Sequence, residues 1–346
     1  MTSAMGRILI VNVNWIGDVI FSTPFIKAVR QAHPDSYVAC LLHPRCVEIL
    51  KDNPRIDEII VYDEEGAHRS LLGKLKLIIN LKKKKFDTAF ILHRSFTKAL
   101  ITFLAGIKER IGYPTKHRSV FLTKAVEISD EEAPHKVEYF LNLARASGIN
   151  ARDIAYEFFI KDSDRQRASQ FLKENGVLDK DLLVALCPGG NWGMKRWPKE
   201  NFAKLGDLFI EKLGAKVVIS GAKKDISLAE DIKKMMKGKP VISCGKTTLK
   251  ELGALLERVD LAVANDTGPM HLAVAMKTNV VALFGPTSPR LTGPYGPGSY
   301  RVIWKNEECD VPCYDVSCAE NRCMALITVE EVFKEAKSML TRIPIP

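Results

Sequence analysis

The sequence predicts an α/β protein made of two facing Rossmann-like domains with a cleft between them. Its 346 residues suffice for two domains that each have a core. Short apolar runs alternate with helical stretches, which is typical of doubly wound parallel sheets. Each half also opens with a strand, a polar loop and a helix. We assign residues 1–160 and 161–346 to the two domains and expect a last helix, at about 329–340, to pack back across their junction.

Composition indicates a globular protein of a reducing compartment. The chain is 46% hydrophobic and 27% charged, as in ordinary globular domains. No run approaches the roughly 18–20 apolar residues of a membrane span, and the first residues lack the ordered regions of a signal peptide. Eight cysteines are few for a secreted disulfide scaffold of this length. We therefore expect a cytoplasmic protein.

The net charge of +10 is concentrated in one segment. Residues 69–124 contain 14 Lys and Arg against two acids, Asp87 and Glu109, a local excess of +12. Such an excess indicates an anionic partner, which could be a nucleic acid, a phosphorylated ligand or an acidic membrane surface. Within it, residues 71–85 mix leucines with lysines. They form either a solvated helix face or a basic amphipathic surface that rests on lipid headgroups.

The first half of the chain predicts four buried strands. Residues 7–13 (RILIVNV) suit the centre of a parallel sheet, and residues 38–42, 58–62 and 88–92 are the other strands. A helix should follow the first strand. Pro24 either kinks that helix or begins a second one capped by Ser22.

The loop after the first strand, residues 14–18 (NWIGD), supplies a carboxylate. Its single glycine, Gly17, does not make the G-x-G-x-x-G of a dinucleotide site, so a nicotinamide enzyme is not expected. Asp18 lies at the carboxyl end of the strand, where open α/β sheets bind their ligands. It either caps the following helix or acts as a general base that removes a proton from an acceptor hydroxyl.

A second polar segment, residues 93–98 (HRSFTK), follows the strand at 88–92. We expect it beside the same cleft, because the carboxyl ends of parallel strands share one edge of the sheet. Arg94, Ser95 and Lys98 are therefore candidates for binding phosphate or carboxylate groups of an acceptor.

The second half begins with a predicted strand at residues 182–187 and the glycine-containing loop 188–193 (PGGNWG). Glycines let backbone N–H groups approach phosphate oxygens closely. The cations that follow, Lys195 or Arg196, would neutralise a departing diphosphate. Further strands are predicted at 215–220, 261–264 and 280–284.

Residues 261–289 predict strand, turn, helix, strand and loop. Asp266 or Thr267 can cap the helix that begins near Pro269, and the free N–H groups and dipole of that helix favour a diphosphate. His271, in the first turn, can reach the same ligand. A purely structural turn is the alternative.

Four segments together resemble the signatures of glycosyltransferase family 9, the heptosyltransferases of lipopolysaccharide inner-core assembly: NWIGDVIFSTP, KRWP, DTGPMHLA and ALFGPTSP. The resemblance covers nearly the whole chain. It implies a GT-B glycosyltransferase fold, with the acceptor on the N-terminal domain and the nucleotide sugar on the C-terminal one.

The resemblance also implies a reaction. A heptose would pass from ADP-L-glycero-D-manno-heptose to the lipopolysaccharide inner core by single displacement with inversion, Asp18 being the base and no cofactor being required. The opening motif and KRWP favour the heptosyltransferase II type, acting in the cytoplasm or on the cytoplasmic face of the inner membrane. The implied donor residues are Lys195, Asn191, Asp266, Thr267, Gly268 and His271, and the implied acceptor residues are Asn14, Gly17, Arg94, Ser95 and Lys98.

Two other functions stay open at this point. One is a transferase of the same fold that uses another nucleotide sugar, because the motifs correspond to phosphate rather than to sugar hydroxyls. The other is a nucleotide- or nucleic-acid-binding protein without catalysis, suggested by the pI of about 9.1. The basic segment lacks the interleaved aromatic residues of a stacking platform, however, and Asp18 would then be unexplained.

A cysteine cluster near the C-terminus has three interpretations. Cys309, Cys313, Cys318 and Cys323 could hold a tetrahedral structural metal, remain unpaired thiols, or form one or two disulfides. Their even spacing, without a C-x-x-C pair, weakens the metal interpretation.

Overall fold

The computed structural model describes residues 6–127, 134–306, 309, 311–313, 318 and 321–340. The chain divides into two compact units, Met1–Phe159 and Ile160–Pro346, and each contains a six-stranded parallel sheet. The doubly wound α/β class predicted from the sequence is confirmed. The roles predicted for the two domains stay predictions. Within the described residues, no helix combines the length and the apolarity needed to cross a membrane.

The first sheet has the strand order β3-β2-β1-β4-β5-β6. Its strands are β1 (Arg7–Val11), β2 (Tyr37–Leu42), β3 (Glu58–Val61), β4 (Thr88–Ile91), β5 (Glu109–Gly112) and β6 (Lys124–Ala125). The helices of this unit are α1 (Ile16–Phe21), α2 (Thr23–Ala32), α3 (Val47–Leu50), α4 (Leu71–Lys83), α5 (Phe96–Leu104) and α6 (Lys136–Ala146).

Strand β1 lies between β2 and β4 in the interior of the sheet, and its side chains are buried on both faces. Leu9 and Val11 belong to one apolar cluster with Leu77 of α4 and its neighbours. On the other face, Phe25 of α2 meets Phe90 of β4 edge to face, with ring centroids 5.3 Å apart. Helices therefore cover both faces, as parallel sheets require.

The predicted helix after β1 is two helices, α1 and α2, so the second of the two interpretations of Pro24 is correct. Pro24 lies in the first turn of α2 and Ser22 is its N-cap residue. The expected capping bond is absent, because the Ser22 hydroxyl donates to the carbonyl of Val19 (2.7 Å) and accepts from the Asn12 amide (2.9 Å).

The second sheet has the strand order β12-β11-β10-β7-β8-β9. Its strands are β7 (Leu183–Cys187), β8 (Lys216–Ile219), β9 (Val241–Ile242), β10 (Leu261–Asn265), β11 (Asn279–Phe284) and β12 (Tyr300–Trp304). The helices are α7 (Asp162–Glu174), α8 (Lys199–Leu213), α9 (Ile226–Met235), α10 (Leu249–Arg258), α11 (Gly268–Ala275), α12 (Pro289–Thr292), α13 (Arg322–Ala325) and α14 (Val329–Leu340).

The last helix, α14, packs within its own unit on α8, β10 and β11. Val332 and Ala336 of this helix are fully buried in the apolar cluster that contains Phe209 of α8. The Trp197 indole donates to the carbonyl of Ile327 at 2.9 Å and ties the segment before α14 to the start of α8. That α14 also crosses the domain junction stays a prediction.

Candidate active site

A buried carboxylate organises the carboxyl edge of the second sheet. Asp266 directly follows β10 and is only 4% exposed. Its Oδ2 lies 2.6 Å from the Lys195 ammonium and accepts a hydrogen bond from the Thr287 hydroxyl at 2.8 Å. His271 Nε2 lies 3.7 Å from Oδ1. Burial alone would raise the pKa of Asp266, but the His271 ring and the Lys195 charge outweigh it and lower that pKa to about 2.

The neighbouring Asn265 joins three segments of this edge. Its buried side chain donates to the carbonyl of Pro188 (2.9 Å) and accepts from the backbone N–H of Trp197 (3.1 Å). The loop after β7 and the start of α8 are thereby held beside the end of β10. This arrangement brings Lys195, predicted in one segment, to Asp266 and His271, predicted in another.

Two glycines allow the loop after β7 to pack this closely. A Cβ atom at Gly189 would lie 2.6 Å from the carboxyl carbon of Asp225, and one at Gly190 would lie 2.9 Å from the Thr267 methyl. The Arg196 guanidinium donates twice to the carbonyl of Gly190, at 2.6 and 3.2 Å. Of the two predicted cations, Arg196 therefore holds the loop and Lys195 points to Asp266.

The start of α11 differs from the sequence prediction in one respect. Thr267 is the N-cap residue, but its side chain makes no capping bond; its hydroxyl donates to the carbonyl of Asn265 at 3.3 Å. The carboxylate of Asp266 is directed to Lys195 and Thr287 instead. The predicted side-chain cap is thus wrong. Helix α11, which begins at Gly268, keeps a terminus that can accept an external anion.

Asn191 lies in the same loop but is exposed and accepts a hydrogen bond from the Lys224 ammonium. Its predicted contact with a nucleotide stays a prediction.

The carboxyl edge of the first sheet contains a buried cation. Lys98 is 1% exposed, and its ammonium donates to the side chain of Asn14 (2.6 Å) and to the carbonyl of Asn12 (3.3 Å). The Asn14 amide donates in turn to Glu64. Burial lowers the pKa of Lys98 to about 8. Lys98 therefore fixes the loop that contains Asn14, rather than presenting its charge to solvent.

Asp18, the predicted base, lies in the first turn of α1 immediately after Gly17 and is half-buried. Helix α1 packs against α6, and the negative charge of Asp18 acts on Lys136 at the start of that helix. Burial lowers the pKa of Lys136, and Asp18 opposes that shift. Sequence reasoning missed Lys136, because only the packing of α1 on α6 brings the two residues near each other.

The two other predicted acceptor residues have structural contacts. Ser95 is the N-cap residue of α5, and its hydroxyl accepts from the backbone N–H of Lys98 at 3.4 Å. Arg94 is exposed; it donates to the Tyr139 hydroxyl at 3.2 Å, and its guanidinium carbon lies 4.9 Å from the Tyr139 ring centroid. Of this pair, Arg94 is the side chain that an acceptor could reach.

The structure gives no support to the predicted metal site. In the part of the chain that is described, no group of three or more His, Cys, Asp or Glu side chains is arranged to hold a metal ion. Each of the four clustered cysteines is a free thiol; Cys309 and Cys318 are exposed, and Cys313 and Cys323 are partly buried.

Comparison with known proteins adds independent findings. The model of glycosyltransferase family 9 (heptosyltransferase) matches residues 74–323. Lipopolysaccharide heptosyltransferase 2 of Escherichia coli K12 is 29% identical, over 83% of this chain and 85% of that protein. Lipooligosaccharide heptosyltransferase 2 of Haemophilus ducreyi is 30% identical, over 83% and 86%.

Comparison with solved structures points to the same family. The crystal structure of a family 9 glycosyl transferase from Veillonella parvula superposes with a TM-score of 0.89 at 27% identity, covering 99% of both chains. The predicted GT-B class is thereby confirmed.

Proposed function

The chain belongs to glycosyltransferase family 9, and we propose that it moves a heptose from ADP-L-glycero-D-manno-heptose to the inner core of a lipopolysaccharide precursor. The heptosyltransferase names of its relatives support this choice of sugar, and favour the heptosyltransferase II type.

The observation that carries the proposal is the Lys195–Asp266 pair beside the start of α11. A diphosphate needs several positive or N–H groups directed at one point. Lys195 supplies a full charge 2.6 Å from its buried counter-ion, and the eight-residue helix supplies its dipole. Asp266 makes the ammonium rigid, because Thr287 and His271 hold the carboxylate from other sides. We propose that Lys195, Thr267 and Gly268 bind the diphosphate of the donor and that Asp266 and His271 position them, with Asn191 at the rim of the site.

The proposed reaction is one displacement. The Asp18 carboxylate removes the proton from an acceptor hydroxyl as its oxygen bonds to the anomeric carbon of the heptose. The bond from that carbon to the diphosphate oxygen breaks, ADP leaves with the electron pair, and the configuration at the carbon inverts. Lys195 and the terminus of α11 stabilise the charge that develops on the leaving oxygen.

We further propose that the first unit binds the acceptor. Arg94 is an exposed cation of the polar segment 93–98, and Lys136 adds a charge near Asp18. Asn14, held by Lys98, and Gly17 shape the loop that carries the base. Because the acceptor is a lipid, the protein would work on the cytoplasmic face of the inner membrane.

A transfer assay tests the function. The purified protein is incubated with inner-core lipopolysaccharide precursors that carry either no heptose or one heptose, each in parallel with ADP-heptose, UDP-glucose or GDP-mannose, and products are detected by mass spectrometry. We expect one added heptose with ADP-heptose only. Transfer from UDP-glucose or GDP-mannose would show that the donor sugar is not heptose. The absence of product with every donor would reject the proposal.

A further inference from the structure

Helix α4 has apolar side chains on two faces, and one of these faces is exposed. Leu77 and Leu81 are buried in the apolar cluster of the first sheet. Four other apolar residues, which we call the leucine face, are 84%, 72%, 50% and 45% exposed: Leu71, Leu72, Leu75 and Ile79. Apolar side chains grouped on one exposed helix face mark an interaction surface more often than singly scattered ones do.

The helix spacing makes the leucine face continuous. Leu71, Leu75 and Ile79 are four residues apart, so they follow one another along one side of the helix, and Leu72 lies next to the first of them. Helix α5, which packs beside α4, exposes Phe103 and Leu104 at 44% and 49%. Exposed apolar side chains are therefore present on α5 as well as on α4.

The charged side chains of α4 and of the two residues after it are all cations. Helix α4 contains no acidic residue. The exposed lysines beside the leucine face, which we call the lysine set, are Lys76, Lys82, Lys83 and Lys85. Lys84 is not one of them, because its ammonium pairs with Glu58 at 2.7 Å. The leucine face thus lies among cations that have no acidic neighbour on the same helix.

We propose that α4 docks this protein on an anionic lipid bilayer, with the leucine face at the boundary between headgroups and acyl chains and the lysine set on lipid phosphates. Leucines that enter the interface and lysines that bind its phosphates are the two parts of such a contact. Lysine stems also lie along apolar surface while their charges reach the phosphates. The inference rests on the proposed function only because the proposed acceptor is itself a lipid.

Other occupants fit the chemistry less well. A nucleic acid would pair with the lysine set but leave the leucine face uncovered. A second copy of the chain, docked symmetrically, would bring two lysine sets together with no acidic partner on either α4. A bilayer with acidic headgroups satisfies both features at once.

Vesicle sedimentation tests the proposal without using activity. The full chain is mixed with vesicles of phosphatidylethanolamine and phosphatidylglycerol, or with phosphatidylcholine vesicles alone, at low salt. We expect binding to the anionic vesicles that weakens in high salt, because salt screens the attraction between the lysines and the lipid phosphates.

Two variants separate the two parts of the contact. In the first, Lys82, Lys83 and Lys85 are each changed to Gln. Each lysine near an anionic surface is worth about fivefold in affinity, so this variant should bind on the order of a hundredfold more weakly. In the second, Leu71, Leu72 and Leu75 are each changed to Gln, which preserves the helix; binding should fall again and lose the part that resists salt.

The matched control removes the same charge elsewhere. Lys233, Lys234 and Lys237, at the end of α9 and just after it, are exposed, and changing all three to Gln should leave vesicle binding within about twofold, because they lie in the other unit. Equal loss in this control and in the α4 lysine variant would overturn the proposal, as would the absence of binding to anionic vesicles by the wild type. A leucine variant that abolishes a dimer in light scattering, while vesicle binding is unchanged, would assign α4 to self-association and also overturn it.

The outcomes separate this inference from the proposed function. Vesicle binding without heptose transfer would leave the docking surface intact and reject the transferase reaction. If α4 acts only in membrane binding, both α4 variants should transfer heptose to a delipidated, water-soluble acceptor at the wild-type rate.

Discussion

The two sheet edges carry opposite kinds of buried charge. In the second unit the buried group is a carboxylate, Asp266, and contacts from separate segments, among them Lys195 and Thr287, make it rigid. In the first unit the buried group is an ammonium, Lys98, with neutral oxygen acceptors, and the proposed base Asp18 is only half-buried. In the proposed reaction, the edge of the second unit supplies a fixed cation to a diphosphate, and the edge of the first unit holds the loop that carries the base. Binding of the donor and deprotonation of the acceptor should therefore be separable by mutation.

The largest effect is expected at Asp18. Changing Asp18 to Asn removes the base but preserves the shape of the side chain, so kcat for heptose transfer should fall by about a thousandfold. ADP inhibition, which would report on the proposed donor site in the second unit, should stay within about twofold of the wild-type value. Loss of ADP binding in this variant would mean that Asp18 holds the nucleotide and would remove the functional difference between the two edges.

The next effect is expected at Lys195. Changing Lys195 to Ala removes the rigid cation and leaves Asp266 charged and buried, so the affinity for ADP should fall about a hundredfold. Lys199 is the matched control: its ammonium lies 2.8 Å from Asp231, and both side chains are about 40% exposed. Changing Lys199 to Ala should alter ADP affinity by less than about twofold, because exposed pairs contribute little. Equal losses of ADP affinity in the two variants would show that ADP responds to the net charge of the protein and not to a specific contact with Lys195.

A smaller effect, on folding, tests how closely the second edge is packed. Changing Gly189 to Ala places a methyl group against the buried Asp225 carboxylate, which accepts a hydrogen bond from the backbone of Ala222. We expect the free energy of unfolding to fall by about 1–3 kcal/mol in denaturant titrations. Gly193, in the same connection, is the control, because a Cβ there meets nothing within 4 Å. Equal stability of the two variants would show that the loop shifts to accommodate the added methyl group at little cost.

The smallest effect concerns pH. The pKa of Asp266 in the folded protein, about 2, is below its ordinary value of 3.8, so its ionised form stabilises the fold above about pH 4 and this contribution is lost as pH falls towards 2. The contribution is about 2 kcal/mol at pH 6 and about half of that at pH 3. The difference in unfolding free energy between the wild type and the Asp266→Asn variant should narrow accordingly. A difference that is constant between pH 6 and pH 3 would contradict the lowered pKa.

Much of the fold could be predicted because the central strands are short apolar runs. The strands predicted at residues 7–13, 38–42, 58–62 and 88–92 are β1 to β4, and those of the second half are β7, β8, β10 and β11. The strands that were not predicted lie at or near the sheet edges. β5 begins with charged residues (ERIG), β6 and β9 have two residues each, and β12 (YRVIW) contains an arginine and a partly exposed face. An apolar run is the signal for a buried strand, and these four strands lack a clear one.

The candidate site was predictable only where its residues follow strand ends. Asp266 and Lys195 were found in this way, and the structure joins them. Asn265 and Thr287 were missed as site residues, because their roles depend on partners that the fold brings from other segments. The burial of Lys98 was missed for the same reason: a lysine in a basic segment has no local signal that distinguishes an internal ammonium from a surface one.

The most direct measurement of the difference between the two edges is a calorimetric titration of ADP-heptose into three proteins: the wild type, Asp18→Asn and Lys195→Ala. We expect the first two to bind with closely similar affinity and the third to bind about a hundredfold more weakly, because in the proposed function the second unit binds the donor and the first unit binds the acceptor and supplies the base. Loss of binding in Asp18→Asn with unchanged binding in Lys195→Ala would assign the donor to the first unit and contradict the account.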